Sequence, residues 1–478
     1  MVVAVLGLAA VAGLSGCLSV RERIEEQAVR VQAGDYAGAY AQAAGEAGGS
    51  DADAPFWSAE AGALALMKGA PAEAIGHLDA ADNGFNDVAR RYRGAGALDS
   101  AAATLTNDCA LPYAPEGLDR VFANLYKALA YGAVGDAGAM RVELNRARQR
   151  QYEWFHRCSE AIAEAPAEGL SQDEAKWVRA HVAGEAAQTA RLDAATAAAA
   201  SAEGAQAVRL FGNLRGFGNA YAAHVAGVAR WCAGDASRND LAMAAALAPG
   251  NAAAQADLAA EKAGRRPQGR VWVYVEDGLA PWRVETAETF TYPSIAGRLQ
   301  GIGTVSFAVP RLRKRAAAAA AYSANGVALQ PLLDVDALAE DQFDRAWPGI
   351  LTRQIVRTLT RVAAHEGGQA AIYAAARGND NEWAGLLAAL GYSALVAAWD
   401  VSTNEADLRC ADLLPKTVWM GALPRPADGV VRVAPAGGRE VAVRLRGTGN
   451  ALVWVRRPTA AGPATVMTID LDAKGAEP

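Results

Sequence analysis

The sequence predicts a two-part protein, with an all-α N-terminal half of helical repeats and an α+β C-terminal domain that has a small, mostly antiparallel sheet. Three observations predict this fold class. Residues 21–264 are rich in Ala, Leu, Glu, Arg and Gln, which are good helix formers, and contain few prolines. A turn signal with glycine recurs through that half. Beyond residues 265–269, the composition changes to β-branched and aromatic residues.

The chain begins with an uncharged apolar run from Val2 to Leu14, followed by Ser15-Gly16-Cys17. This run has the length of the apolar region of a signal peptide and is too short to span a bilayer. Small residues before a cysteine are typical of a bacterial lipoprotein signal. Residues 1–17 are therefore interpreted as a lipoprotein signal peptide with Cys17 as the lipidation site. The positively charged start of such signals is missing, so an uncleaved anchor or a buried first helix stays as the alternative.

The glycine turn signal consists of Gly34-Asp35, Gly69-Ala70-Pro71, Gly135-Asp136 and Gly234-Asp235. Glycine suits the left-handed position that ends a helix, and Asp or Pro starts the next helix. The glycines lie 35, 66 and 99 residues apart, close to multiples of the tetratricopeptide period of about 34 residues. We predict a tetratricopeptide-like repeat domain over residues 18–264. A generic helical bundle is the alternative.

Residues 270–478 are predicted to form the α+β domain. Alternating or β-branched segments predict strands at 271–275, 282–292 and 303–310, and a C-terminal β-meander of three strands at 430–433, 440–445 and 451–455. Residues 334–365 have the spacing of an amphipathic helix, and residues 383–399 carry no charge. Both helical segments are expected to pack against one sheet formed by strands from both ends of the domain.

The charge and cysteine content limit the function classes. The 478 residues carry a formal net charge of −6 and a mean hydropathy of +0.02, so no basic surface for a nucleic-acid partner is expected. Four cysteines remain if Cys17 is lipidated, and they could form disulfides in an oxidising compartment. Cys109 and Cys158 are the preferred pair. Isolated thiols, including Cys232 and Cys410, are the alternative.

No catalytic, metal or cofactor motif stands out. The five histidines lack metal-ligand spacing, and neither a phosphate-binding loop nor a serine-nucleophile motif occurs. We therefore expect a protein that is not an enzyme and needs no cofactor or metal. A hydrolase or transferase stays open if Glu276 and Asp277 meet Asp334 or Asp336 in a cleft. A lipid- or ligand-binding module using residues 383–399 is a further alternative.

Several ordered stretches together resemble one family. They are Asn107-Asp108, Tyr113, Pro115-Glu116, residues 120–129, Gly135-Asp136, residues 141–147, Arg150-Gln151, residues 218–221, residues 276–281, residues 414–416 and residues 450–455. Over most of the chain after Cys17, the sequence is similar to a family of uncharacterised Gram-negative lipoproteins with tetratricopeptide-like N-terminal halves. The resemblance implies an envelope location and no established activity. Such proteins tend to be encoded beside lipoprotein activators of peptidoglycan synthases, which implies a role in envelope assembly.

The resemblance also implies where a partner would bind. Residues 107–151 would form the working surface, with Arg141, Asn145 and Arg148 on one helix face and Asn124 and Lys127 on the preceding helix. We expect this hairpin to bind another envelope protein through an extended or carboxylate-bearing segment. The alternative is that Asn124 and Asn145 cross-link the hairpin internally.

The sequence thus predicts a non-enzymatic scaffold, held to the membrane by its lipid anchor. Leu18, rather than Asp, after Cys17 implies that the anchor lies in the outer membrane and that the protein faces the periplasm.

Overall fold

The computed structural model describes residues 22–49, 53–94, 117–161, 218–294, 301–347 and 405–472, with a few single residues beside these ranges. Its helices are α1 (residues 22–32), α2 (Tyr36–Ala47), α3 (Ala54–Met67), α4 (Pro71–Gly94), α5 (Gly117–Val134), α6 (Ala137–Ala161), α7 (Ala220–Ala233), α8 (Arg238–Leu247), α9 (Ala252–Lys262) and α10 (residues 335–347). Its strands are β1 (Arg270–Asp277), β2 (Trp282–Ser294), β3 (Gly301–Arg313), β4 (Tyr322–Ala324), β5 (Val327–Ala328), β6 (Gln330–Asp334), β7 (Thr417–Pro424), β8 (Val430–Pro435), β9 (Val441–Arg444), β10 (Ala451–Arg457) and β11 (Thr465–Asp470). A helical half followed by an α+β half is confirmed.

The four predicted turn glycines all end helices in the left-handed conformation. Gly34, Gly69, Gly135 and Gly234 have φ between 80° and 92°. At each turn the glycine N–H and the next N–H donate to carbonyls three and five residues earlier, as at Gly135 and Asp136, which bond Gly132 and Tyr131. This is the Schellman arrangement, which satisfies the last carbonyls of the helix. The fourth turn differs in one respect, since α8 begins three residues after Asp235, at Arg238.

The helices form two layers. Almost every described residue of α3, α5 and α7 is buried, so these three helices form an inner layer. They pair with α4, α6 and α8, respectively, whose outer sides are in part exposed. The inner layer does not leave an open groove, because α5 packs against β11 and α7 packs against β6.

The described strands form three sheets, where the sequence predicts one. A five-stranded sheet has the order β11-β10-β1-β7-β6, and a four-stranded sheet has the order β5-β4-β8-β9. Strands β2 and β3 pair only with each other among the described strands. The pairing is antiparallel except between β1 and β10, so the prediction of mostly antiparallel pairing is confirmed.

The side chains of strand β1 alternate between two hydrophobic cores, one on each face of the five-stranded sheet. Trp272 and Tyr274 point into the core shared with the helices, whereas Val271, Val273 and Val275 point into the core shared with the four-stranded sheet. Its neighbour β10 has the same pattern, and both strands are buried on their two faces. The described part of the molecule therefore stacks two helical layers, the five-stranded sheet and the four-stranded sheet.

One hydrophobic core crosses the boundary predicted at residues 265–269. It contains residues of α3, α5 and α7 together with Trp272, Met420 and Trp454 of the sheet. The five-stranded sheet combines strands from both ends of the second half, as predicted, but much of its helical cover comes from the N-terminal half. The two halves are thus packed as one unit.

The predicted C-terminal meander is wrong at its last strand. Strands β8 and β9 pair as a hairpin, but β10 leaves them and lies parallel to β1 in the five-stranded sheet. The reason is burial: β10 is apolar on both faces, so it needs a central position covered on two sides. The predicted helices over residues 348–365 and 383–399 lie outside the described residues, except for residues 350 and 354.

Candidate functional site

Two of the five predicted partner-binding residues lie in the protein interior. Asn124 and Lys127 on α5 are both buried. Asn124 Nδ2 donates to Glu143 Oε2 at 2.9 Å, and Lys127 Nζ lies 3.0 Å from the same oxygen and 2.7 Å from Asp79 Oδ1. Burial alone lowers the pKa of Lys127, but the hydrogen bonds with Asp79 and Glu143 outweigh it and raise the pKa. Both side chains therefore tie α5 to its neighbouring helices from inside, and neither is accessible to a partner.

The other three predicted residues share one face of α6, as their spacing predicts. Arg141 Nη1 lies 3.7 Å from Asp235 Oδ2, Asn145 Oδ1 accepts a hydrogen bond from Arg230, and Arg148 Nη1 donates to Asp240 Oδ1 at 3.3 Å. All three contacts join α6 to the next hairpin. The side chains of Arg141 and Arg148 remain 43% and 39% exposed, so they stay within reach of a partner.

The outer side of α6 carries an exposed stripe, of which the sequence predicted only Asn145. We call it the outer stripe: Val142, Asn145, Arg146, Gln149 and Tyr152. Val142 is 49% and Tyr152 is 43% exposed. Val134, at the end of α5, is a third exposed apolar side chain of this hairpin. The exposed side could have been predicted from the helical spacing of the buried residues. Met140, Leu144, Ala147 and Gln151 form the buried side of the same helix.

The carboxylates that could have formed a catalytic cleft do not converge. Glu276 faces the helices, where its carboxylate accepts hydrogen bonds from Tyr126 Oη at 2.9 Å and Trp454 Nε1 at 2.8 Å. Asp277 faces the opposite side and accepts from Tyr322 Oη and two backbone N–H groups. Burial raises the pKa of both carboxyls, against the effect of these donors and of Arg456. Their opposite directions follow from the alternation of a strand.

Asp334 and Asp336 are also engaged elsewhere. Asp334 Oδ1 accepts from the backbone N–H of Ala337 at 3.2 Å and caps α10. Asp336 pairs with Lys416. Each of the four acidic residues thus has structural partners of its own.

His224 forms a buried polar cluster between the helices and β1. Its Nδ1 lies 2.7 Å from Tyr274 Oη, and its Nε2 lies 3.3 Å from Asp257 Oδ2. Asp257 also accepts from Trp272 Nε1 at 2.7 Å and lies 2.7 Å from Arg270 Nη2. The side chains of His224 and Asp257 are completely inaccessible. The cluster therefore joins α7 and α9 to the sheet, and its His224 and Asp257 side chains are closed to solvent in this conformation.

The described residues bear on the cysteines, on metal sites and on membrane-spanning segments. Cys232 and Cys410 are free thiols, whereas Cys17, Cys109 and the side chain of Cys158 lie outside the described residues. Within the described ranges, His, Cys, Asp and Glu form no group suited to a metal ion. No helix of those ranges is long and apolar enough to cross a bilayer.

Comparison of the chain with protein-family models, curated proteins and solved structures finds no match.

Proposed function

We propose that this protein is a lipid-anchored scaffold of the cell envelope, which binds a partner protein through the outer side of its α5–α6 hairpin. The observation that carries the proposal is the outer stripe. It combines the exposed aromatic side chain of Tyr152 with Arg146, and Tyr and Arg are residue types that supply much of the binding energy in protein interfaces.

The packing of the sheet moves the expected surface from the inner to the outer side of the helices. Repeat proteins of helical hairpins commonly bind partners along their concave side. In this chain the inner helices α3, α5 and α7 share their core with the five-stranded sheet, so that side is occupied. Arg141, Asn145 and Arg148, together with the outer stripe, are then the proposed contact residues.

Three further features belong to the proposal. The helical hairpins are tetratricopeptide-like repeats, which the left-handed glycines at spacings near multiples of 33 support. Cys17 carries the lipid anchor, with the protein facing the periplasm from the outer membrane. The role is non-enzymatic and serves cell-envelope or peptidoglycan assembly.

Site-specific photocrosslinking in intact envelopes tests the proposed surface. A photoreactive amino acid replaces Val142 or Tyr152 in the full-length chain, and Val327 in β5, which is 42% exposed, provides the matched control position. We expect one defined protein adduct from positions 142 and 152 and none from position 327. Adding Arg146→Glu should reduce the adduct severalfold, because it reverses the charge at the centre of the stripe.

Two results would contradict this surface. One is an adduct of equal yield from all three positions, which indicates random collision. The other is the absence of any adduct at positions 142 and 152 while the protein is present at its normal level. A Cys17→Ser variant separately tests the anchor, since it should release the protein from the membrane fraction.

A further inference from the structure

A small cavity lies inside the protein between α3, α4, α5 and residues 411–414. Its volume is about 30 Å³, and roughly 10–15 Å³ is enough for one water molecule, so it has room for about two non-hydrogen atoms. Five aromatic rings take part in its wall, from Phe56, Phe85, Tyr113, Phe122 and Tyr126. Two carboxylates, Glu60 and Asp119, also line it.

Glu60 is a buried carboxyl at this cavity with few polar partners among the described residues. Asp119 accepts a hydrogen bond from Tyr113 Oη at 2.7 Å, and nearby Asp412 lies 3.2 Å from Arg315 Nη1. From the described part of the chain, Glu60 accepts one hydrogen bond, from Gln27 Nε2 at 3.0 Å. Among the described residues, no Lys or Arg forms an ion pair with it. A carboxylate that is 4% exposed and has no direct ion-pair partner is costly in its ionised form.

We propose that this cavity binds the ammonium group of a small primary amine, with Glu60 as its counter-ion and the aromatic rings as its walls. Aromatic faces attract organic cations through their quadrupoles, and rings combined with a carboxylate form a favourable site for an alkylammonium group. A CH₂–NH₃⁺ or CH₃–NH₃⁺ unit has two non-hydrogen atoms and matches the volume. The inference is independent of the partner surface on α6.

Binding of the amine is coupled to loss of a proton. Burial raises the pKa of Glu60 well above its ordinary value, and the nearby charges of Asp412 and Asp119 raise it further, against the Gln27 hydrogen bond and Arg315. Without amine the Glu60 carboxyl therefore retains its proton to higher pH. When an alkylammonium ion enters, that proton is released to solvent and the ammonium N–H groups donate to the carboxylate. Affinity should rise with pH until Glu60 is ionised in the free protein.

Saturation-transfer NMR on the full-length protein tests the site, with methylammonium chloride as the probe. A ligand of two heavy atoms binds at best with roughly millimolar affinity, so the titration extends to about 100 mM at constant ionic strength maintained with sodium chloride. We expect saturable binding that tightens from pH 6 to pH 8. Glu60→Gln, which keeps the shape and removes the charge, should weaken binding by about tenfold or more. Glu73→Gln is the matched control, because Glu73 lies on the surface and pairs with Lys68.

A second arm distinguishes two sources of the same ammonium group. Nα-acetyl-lysine methylamide should bind at least as well as methylammonium if a lysine side chain is the natural occupant, and should fail to bind if the occupant is a free small amine. Either result supports the site, provided that one probe binds in a manner dependent on Glu60. Binding that is absent for both probes, or unchanged in Glu60→Gln, overturns the proposal and leaves ordered water as the content of the cavity.

Discussion

Asp257 shows how a single buried carboxylate can join two parts of the chain. It lies on α9, and its two oxygens face His224, Trp272 and Arg270. In an apolar core such a charge is tolerated because Trp272 Nε1 donates to one oxygen and the guanidinium of Arg270 lies 2.7 Å from the other. The groups around the carboxylate come from α7 and β1, so Asp257 links elements of both halves.

We predict that Asp257→Ala destabilises the protein by roughly 2–3 kcal/mol, because it leaves the buried indole N–H of Trp272 without its acceptor and removes the counter-charge of Arg270. Urea unfolding followed by circular dichroism measures the loss. Asp235→Ala is the control, since Asp235 pairs with Arg141 at an exposed position and should change stability by less than about 1 kcal/mol. Equal effects of the two substitutions would show that the buried cluster does not hold the halves together.

At the scale of single elements, the end of a helix depends on the backbone conformation of its turn glycine and on the atoms that surround this glycine. Gly34, Gly69 and Gly135 all have φ near +80° to +92°, which costs an L-residue energy. Their surroundings differ. A Cβ atom at Gly135 would meet no atom within 4 Å, whereas one at Gly34 would lie 2.7 Å from Cδ of Pro463. The first turn is thus also a contact with the segment between β10 and β11.

We expect Gly135→Ala to destabilise the protein by about 1–2 kcal/mol, the cost of the left-handed conformation alone. Gly34→Ala should cost more than this, because the same strain is combined with the Pro463 clash. Gly45→Ala, within α2 where a Cβ meets no atom within 4 Å, should stabilise by about 0.5–1 kcal/mol. Thermal unfolding ranks the three variants. Equal losses at Gly34 and Gly135 would rule out the contact with Pro463 as a stabilising feature.

At the scale of the whole molecule, buried carboxyls make stability depend on pH. Burial raises the pKa of Glu60, Asp412 and Glu276, each at the junction of the helices with the sheet or with residues 405–416. The folded protein therefore keeps protons that the unfolded chain has lost. Stability from these groups is fully present below the ordinary carboxyl pKa of about 4, and it falls as the pH rises towards the raised values.

Glu60→Gln should isolate one of these contributions. The glutamine cannot ionise, so the variant should gain free energy of unfolding relative to the wild type as the pH rises from 5 to 8. Guanidinium unfolding at several pH values gives the difference between the two proteins directly. Parallel curves over this range would show that Glu60 has an ordinary pKa in the folded state.

Much of the local structure could be predicted from the residues alone. The left-handed glycines at positions 34, 69, 135 and 234 and the strands β1, β2, β3, β8, β9 and β10 were all expected, because turn chemistry and side-chain alternation are local properties. Strands β4, β5, β6, β7 and β11 were missed, although Thr417–Pro424 in β7 and Thr465–Asp470 in β11 contain β-branched and apolar residues in partial alternation. The shared face of Arg141, Asn145 and Arg148 was expected from their spacing, but the burial of Lys127 was not.

The sequence by itself determined where helices end, which segments extend and which residues share a face, since each depends on neighbours within a few positions. Only the tertiary structure decided that the sheet covers the inner helices, that β10 lies parallel to β1, and that Asp257 and Glu60 are buried. The strand pairing joins residues far apart in the sequence, such as Val271 and Ala451. They depend on which apolar faces find one another in three dimensions, and no local pattern records that choice.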